Sequence, residues 1–338
     1  MNENRVSIRR KLSNFYYRDE YTSRLIIMLL AVLISMLILR PGKFFTFVNF
    51  QTMVAQFPEF GLMSLGVMVC MITGGIDLSV VGVANLASIC SGILMKAMVA
   101  ESGSLPWYGI PVGMICGIVI GLVAGILNGA LVAKIHIPPI LATLGTFELF
   151  SGIAIVLTKG KAISKLPMEY SALITSKLFG IIPVQLIVFV IMAGIISFLL
   201  SRTTFGTRIY MLGTNIKAAE FSGLDTSGLL IKTYALSGIC AALGGLVMLA
   251  NYNSARADYG AVYTLQCVLI VVLGGVNPNG GKGRISGVVF AILVLQMLSS
   301  GLNMFPQISN FYKPLIWGGV LLLVMTLNYF SENRNRSK

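Results

Sequence analysis

The feature that most constrains the fold is a series of long apolar runs without charged residues. The segment from Ser102 to Ala133 carries no charge, and neither does the segment from Leu178 to Ser201. A helix needs about 20 predominantly apolar residues to cross the hydrocarbon core of a bilayer. Strands of a membrane barrel would instead alternate polar and apolar residues over about 10 positions. The continuous runs therefore predict membrane-spanning helices.

We predict an all-α polytopic membrane protein with about ten transmembrane helices. Charged residues make up only 11% of the chain, against about 25% in a typical soluble protein. No linker divides the chain, so we expect one transmembrane domain over 25–330 between a basic tail, 1–24, and a short tail, 331–338. The predicted spans are 25–40, 54–75, 79–98, 109–133, 139–158, 181–201, 233–251, 261–277, 285–303 and 314–330.

The basic residues predict the orientation of these spans. With an even number of spans both termini lie on one side, and that side then holds 16 of the 25 lysines and arginines. Cytoplasmic segments carry the excess of Lys and Arg, so we expect both termini in the cytoplasm. The cluster from Lys159 to Lys177 is the one group that disagrees. The net charge of +13 is explained by topology and by attraction to anionic lipid. No soluble domain is present to bind nucleic acid, so we expect none to be bound.

The segment "MITGGIDLSV", Met71 to Val80, interrupts the apolar pattern with two glycines and a carboxylate. Gly74 and Gly75 permit a helix break, because glycine adopts backbone angles that other residues avoid. Asp77 and Ser79 are typical N-cap residues for the following helix. An ionisable residue inside a membrane is a functional candidate by default. Capping, contact with solute and contact with another helix or a partner remain open for Asp77.

A second polar group extends into the spans that follow, within "GILNGALVAKIHIPPILATLGTFELFSG". Hydrogen bonds between helices explain such residues as well as a polar translocation path does. Glu148 is a further acid inside a predicted span. The candidate pathway residues in this segment are Asn128, Thr143, Thr146 and Glu148, and Asn85 in the predicted span 79–98 is a further candidate.

The longest predicted cytoplasmic loop, 201–232, contains a candidate docking helix. Asn215 can cap a short helix and Gly223 can end it, which leaves about two turns with Ile216, Ala219 and Phe221 partly exposed. A helix this short is marginal in water and makes sense if it lies in a groove on another protein. The alternative is a surface loop that packs on its own bundle.

Two other loops carry recognisable patterns. "NSARADYG" places Arg256 and Asp258 on the predicted outer side, where they can pair with each other or meet an incoming partner. "GGVNPNGGKGRISG" lacks the GxxxxGK[ST] spacing of a phosphate-binding loop, so we expect a tight turn. The only histidine, His136, lies near a span end, and no metal site or catalytic triad is expected.

Four motifs together carry a family resemblance: "ITGGIDLSV", "NGALVAKIHIPPILATLGT", "GTNIKAAEFSGL" and "LGGVNPNGGKGRISGV". In this order, over about 50–330, the chain resembles the ribose-type permeases of bacterial ABC importers. The stretches 256–260 and 303–327 are similar to the rhamnose and autoinducer-2 branch. The resemblance implies a subunit of the cytoplasmic (inner) membrane that imports a monosaccharide or sugar-like solute.

The resemblance also implies the partners and the source of energy. A tandem ABC ATPase would hold ATP and magnesium, a periplasmic or lipid-anchored binding protein would deliver the solute, and a second permease, identical or closely related, would complete the pathway. Within the loop, Ala218, Ala219 and Gly223 would contact the ATPase as part of a coupling helix. We expect no cofactor in this chain and no enzymatic activity of its own.

Two other function classes bear comparison. A proton-coupled secondary transporter could use Asp77 and Glu148 as relays, but few further acids or histidines are available to continue a path. An integral-membrane enzyme lacks a cluster of catalytic residues. The leading interpretation is therefore a permease driven by a partner.

Overall fold

The computed structural model describes residues 20–99 and 104–305, together with 307, 312, 314–322 and 326. Most of the predicted N-terminal tail, 1–19, and all of the tail 331–338 lie outside the described residues.

The described chain is almost entirely helical, which confirms the predicted all-α class. The helices are α1 (Glu20–Leu39), α2 (Pro41–Phe44), α3 (Phe47–Ile72), α4 (Val80–Ala97), α5 (Gly109–Ala133), α6 (Pro139–Thr158), α7 (Met168–Thr175), α8 (Val184–Arg202), α9 (Thr204–Thr214), α10 (Ile216–Phe221), α11 (Thr226–Tyr252), α12 (Tyr263–Leu273) and α13 (Ile285–Asn303). Two antiparallel strand pairs join β1 (Ile163–Ser164) to β4 (Ser254–Ala255) and β2 (Lys177–Leu178) to β3 (Ile182–Pro183).

Seven of the described helices are long and apolar enough to cross a membrane: α3, α4, α5, α6, α8, α11 and α13. Two further predicted spans contain shorter apolar helices, Leu25–Leu39 and Tyr263–Leu273. The last predicted span is helical over 314–322, and beyond that segment only residue 326 of it is described. The structure therefore gives a polytopic helical membrane protein, while a total of ten spans stays a prediction.

The helix α12 is short because the chain before it is irregular. Eleven residues span about 16 Å at 1.5 Å per residue, roughly half of the hydrocarbon thickness. The preceding segment, 253–262, lies against α4, where the side-chain amide of Asn85 donates to the carbonyls of Ala257 at 2.8 Å and Tyr259 at 2.9 Å. Irregular backbone inside a membrane protein occurs where protein or a water-filled cavity satisfies its polar groups.

The helix α11 lies at the centre of the bundle, where it contacts α3, α4 and α5. Glycine permits the closest of these approaches. A Cβ atom on Gly121 would overlap the carbonyl oxygen of Gly238, and one on Gly125 would overlap that of Tyr234. These two glycines belong to a row at every fourth position of α5, on its buried side: Gly109, Gly113, Gly117, Gly121, Gly125 and Gly129. The small residues at spacing four thus serve tight helix packing.

We expect Gly121→Leu to destabilise the bundle. The added side chain would force α5 away from α11, and overpacking of this kind costs about 1–3 kcal/mol or more. Gly194→Leu in α8 is the matched control, because an added Cβ there meets no atom within 4 Å. Thermal unfolding followed by size-exclusion chromatography should show early aggregation for Gly121→Leu alone. Equal behaviour of the two variants would contradict this account of the packing.

Candidate functional site

The predicted break lies at the end of α3. The helix ends at Ile72, Gly74 has a φ of +84°, and the amide of Gly75 donates back to the carbonyl of Cys70 at 3.2 Å. This is the left-handed helix end that glycine favours. The chain then runs without regular structure to the start of α4 at Val80, so the predicted interruption is confirmed.

Asp77 lies inside the bundle, with 2% of its surface exposed. One carboxylate oxygen accepts from the amide of Ser79 at 2.9 Å and from its hydroxyl at 2.6 Å. The other accepts from the hydroxyl of Ser237 in α11 at 2.7 Å. Of the roles left open for Asp77, the structure shows contact with another helix and acceptance from the amide of Ser79, the residue before α4; contact with a solute stays a prediction. Ser79 is the N-cap residue of α4, as predicted, but its side chain makes no hydrogen bond to the N-terminal amides of the helix, so the predicted side-chain cap is wrong.

The hydrogen-bond network around Asp77 extends to two more helices. The amide of Asn128, in α5, donates to the Ser79 hydroxyl at 2.7 Å. The hydroxyl of Thr143, in α6, lies 3.1 Å from the carbonyl of Ile76 and 2.8 Å from that of Pro139. Polar residues from α5, α6 and α11 thus meet those of the break, which leads into α4, and connect these elements. We call Asp77, Ser79, Asn128 and Ser237 the Asp77 network.

The other predicted pathway residues separate from this network. Thr146 is buried and its hydroxyl donates to the carbonyl of Thr143 at 3.2 Å. Glu148 lies on the opposite, exposed side of α6. Asn85, besides holding 253–262, lines a cavity of about 390 Å³ together with Ser151 and Arg256. The structure therefore does not bring the predicted pathway residues together in one place.

The break is also connected to the segment that precedes the short helix α10. The amide of Gly281 donates to the carbonyl of Ile72 at 2.8 Å, and the hydroxyl of Tyr210 donates to the carbonyl of Gly283 at 2.7 Å. Burial raises the pKa of the Tyr210 phenol further above neutral, so the phenol stays a donor also in alkaline solution. Gly213 lies so close to Ile72 that an added Cβ would overlap its carbonyl oxygen. The helix α9 and the loop 274–284 therefore pack directly on the end of α3.

The predicted two-turn helix is present as α10, Ile216–Phe221. The side chain of Asn215 accepts from the amide of Ala218 at 3.0 Å, and Gly223 follows with a φ of +80°, as the sequence predicts. Ile216 is 45% and Phe221 93% exposed. Ala219 is buried, with 4% exposed, because it faces the bundle; its predicted exposure is wrong. We call Ile216 and Phe221 the apolar knob of α10.

Arg256 and Asp258 pair with each other, with 2.8 Å between a guanidinium nitrogen and a carboxylate oxygen. Both side chains are well exposed. An exposed pair of this type contributes about 0–1 kcal/mol and can be exchanged for other partners at small cost.

A large polar cavity of about 1200 Å³ opens between the beginning of α3, the end of α11, α12 and α13. At its wall Glu59 is 2% exposed, and its carboxylate accepts from the amide of Asn251 at 2.6 Å and from the hydroxyls of Tyr252 and Tyr263 at 3.1 and 3.0 Å. We call this the amide-lined cavity, because six side-chain amides line it: Gln51, Gln56, Asn251, Gln266, Gln296 and Asn303.

Sequence reasoning missed this cavity. A signal was present, since Glu59 is an acid inside the predicted span 54–75. The rule that makes an acid inside a span a functional candidate applies to the buried Glu59 as it does to the exposed Glu148. The amides come from four helices, and those of the first helix lie about two hundred residues or more before the others, so no local pattern joins them all. Within the residues that the structure describes, no three His, Cys, Asp or Glu side chains are grouped so that they could hold a metal ion.

Comparison with known proteins gives a consistent picture. Residues 49–326 match the family described as the permease component of branched-chain amino acid transport systems. The chain is similar to a ribose import permease protein of Bacillus subtilis (strain 168), with 36% identity over 301 residues and 89% of each chain covered. It is also similar to autoinducer 2 import system permease proteins of Yersinia enterocolitica and Yersinia pestis (strain Pestoides F). Each is 30% identical over 281 residues, which cover 81% of this chain and 82% and 81% of the respective relatives.

Proposed function

Because this chain belongs to the family of branched-chain amino acid transport system permease components, we propose that it imports a monosaccharide or sugar-like solute as one subunit of an ATP-driven transporter. It is a multi-pass protein of the cytoplasmic (inner) membrane. The names of the relatives, a ribose importer and autoinducer 2 importers, support a solute of the ribose, rhamnose or autoinducer-2 type.

The observation that carries the proposal is the apolar knob of α10. The two-turn helix α10 is capped at one end and ended by a glycine of positive φ at the other, and it exposes Ile216 and Phe221 on the surface of the chain. Large exposed apolar side chains of this kind fit a groove on a partner. The partner is an ABC ATPase with tandem nucleotide-binding domains, which would hold ATP and magnesium. Asn215, Ala218, Ala219 and Gly223 shape this contact by fixing the helix.

We place both termini and α10 in the cytoplasm, with ten spans in all. The basic residues support this orientation, and α9, α10, the break and the loop 274–284 all lie at one end of the bundle. The Arg256–Asp258 pair then lies toward the opposite side, where a binding protein can dock and exchange its weak contacts for new ones.

A second permease, identical or closely related, would cover the exposed side of α6. Glu148 stands near the middle of this helix on its exposed side. A charged side chain at the centre of a bilayer costs about 2.5–3.5 kcal/mol on insertion scales. A water-accessible pathway between two permeases would remove this cost. The break at Gly74 and Gly75 would let α3 and α4 move relative to each other as the pathway opens.

Reconstitution tests the proposal. Vesicles should contain this chain with its ATPase and any second permease, and labelled D-ribose should be added with the binding protein outside. We expect accumulation that requires ATP, persists with an uncoupler and disappears when the phosphate-binding lysine of the ATPase is replaced. Uphill accumulation by the chain alone, or uptake that collapses with an uncoupler and survives loss of the ATPase, would refute it.

A further inference from the structure

We infer that the amide-lined cavity is a binding site for a neutral polyhydroxylated solute within a single permease chain; this inference rests on the proposed function. The cavity volume of about 1200 Å³ slightly exceeds the range of about 300–1,000 Å³ usual for ligand sites. It therefore has room for a monosaccharide together with water.

The polar wall of the cavity is preorganised around Glu59. Three donors hold its carboxylate in one position, and Asn251 is itself fixed because Gln185 donates to its side-chain oxygen at 2.9 Å. Such a wall presents groups of fixed orientation and loses little conformational freedom when a ligand binds.

Gln266 supplies the free hydrogen-bonding group. It is 4% exposed, it lines the cavity, and it makes no side-chain hydrogen bond to any residue in the described part of the chain. A buried polar side chain normally has a partner. Here the amide faces a cavity, so water or a solute supplies it. An amide both donates and accepts, which matches a hydroxyl group that does the same.

The charges of the lining favour a neutral solute. The lining, as far as the structure describes it, holds one cation, Lys177, whose ammonium group donates to the side-chain oxygen of Gln51 at 2.8 Å. Asp258 is already paired with Arg256. Glu59 is therefore the one acid of the lining left to balance Lys177. In the described residues no cationic side chain pairs with Glu59. A carboxylate of a solute would thus meet repulsion at the wall of the cavity.

Aromatic side chains complete the site. Phe60 and the buried Trp317 line the cavity beside the amides. Ligand sites combine apolar and aromatic walls with a few placed polar groups, and the C–H faces of a sugar ring suit the faces of aromatic rings. This combination of amides and aromatic rings suits a solute that has both hydroxyl groups and C–H faces, as a sugar ring does.

Trp317 makes the inference directly testable. The chain has two tryptophans, and the other, Trp107, is 88% exposed. In the purified full-length permease carrying Trp107→Phe, the tryptophan emission then comes from Trp317 alone. Titration of permease, without binding protein, with D-ribose should give a saturable change in emission, and L-leucine should give none. Gln266→Leu or Gln296→Leu should raise the ribose concentration that gives half of the maximal emission change at least tenfold.

Thr264→Val is the matched control. Its hydroxyl is buried and unpartnered in the same helix, but it does not line the cavity, so the response to ribose should not change. ATP-driven ribose uptake by the Trp107→Phe complex is measured in parallel. Normal uptake without a saturable change in emission on adding ribose overturns the cavity assignment and leaves the proposed function standing. So does normal uptake when both Gln variants keep the wild-type emission response. A saturable emission change with leucine and none with ribose overturns the solute class. The proposed function itself is refuted if the wild-type complex shows no ATP-driven uptake.

Discussion

Phe221→Glu should abolish ATP-driven uptake while the protein still folds and reaches the membrane. Phe221 is 93% exposed at the end of α10, so glutamate there disturbs no packing within the chain. In the contact with the ATPase it would bury a charge where an aromatic ring belongs. Loss of a central aromatic residue from an interface costs about 2–4 kcal/mol, or about 30- to 700-fold in affinity. Co-purification of the ATPase and vesicle uptake measure the two effects.

Phe179→Glu is the matched control for this variant. Phe179 is 87% exposed, receives the same substitution, and lies in the turn between β2 and β3, which we place on the other side of the membrane. Its uptake and ATPase binding should equal those of the wild type. If Phe221→Glu also retains the ATPase and transports normally, the knob of α10 is not the coupling surface.

The effect of Phe221 on transport follows from the contacts behind α10. The amide of Asn215 donates to the carbonyl of Met211 at 3.3 Å, which connects α10 to α9. Gly213 of α9 packs directly on the carbonyl of Ile72. A displacement of α10 therefore reaches the end of α3 through backbone contacts, at the point where Gly74 allows the chain to bend. The loop 274–284 contacts the same end of α3 through the hydrogen bond from the amide of Gly281 to the carbonyl of Ile72.

The parts of this arrangement that depend on local chemistry could be predicted from the sequence. Apolar runs predict helices, and paired glycines predict the end of α3 because few other residues adopt a φ of +84°. Asn215 and Gly223 predict the limits of α10 for the same kind of reason.

The parts of the arrangement that depend on contacts between distant residues could not be predicted from the sequence. Ala219 looks equivalent to Phe221 in the sequence, and only the packing of α10 on the bundle buries it. The apolar run 261–277 predicts a full span, but Asn85, more than 170 residues earlier, holds the preceding loop against α4 in an irregular conformation. Glu59 was visible as an acid in a span, whereas its donors Asn251, Tyr252 and Tyr263 come from the far end of the chain.

Asp77→Ala should destabilise the bundle and stop uptake, whereas Asp77→Asn should keep most of both. Alanine leaves the hydroxyl of Ser237 and the donors of Ser79 buried without an acceptor, and each such loss costs about 1–3 kcal/mol. Asparagine keeps one acceptor oxygen, and the Ser237 hydroxyl can rotate to accept from its amide, since a hydroxyl both donates and accepts. Thermal unfolding of purified protein and vesicle uptake measure the two outcomes.

The double variant Asp77→Ala/Ser237→Ala separates a structural role from a proton relay. Removing both partners of a buried hydrogen bond costs less than the sum of the single losses, so the double variant should be more stable than additivity of the two single variants predicts. A relay depends instead on the ionisable group. If Asp77→Asn folded as well as wild type but lost all uptake, the carboxylate would be needed for its proton, and the structural role of the Asp77 network would be refuted. If transport survives in Asp77→Asn, the carboxylate serves to connect the break with α5 and α11, next to the end of α3 on which α9 packs.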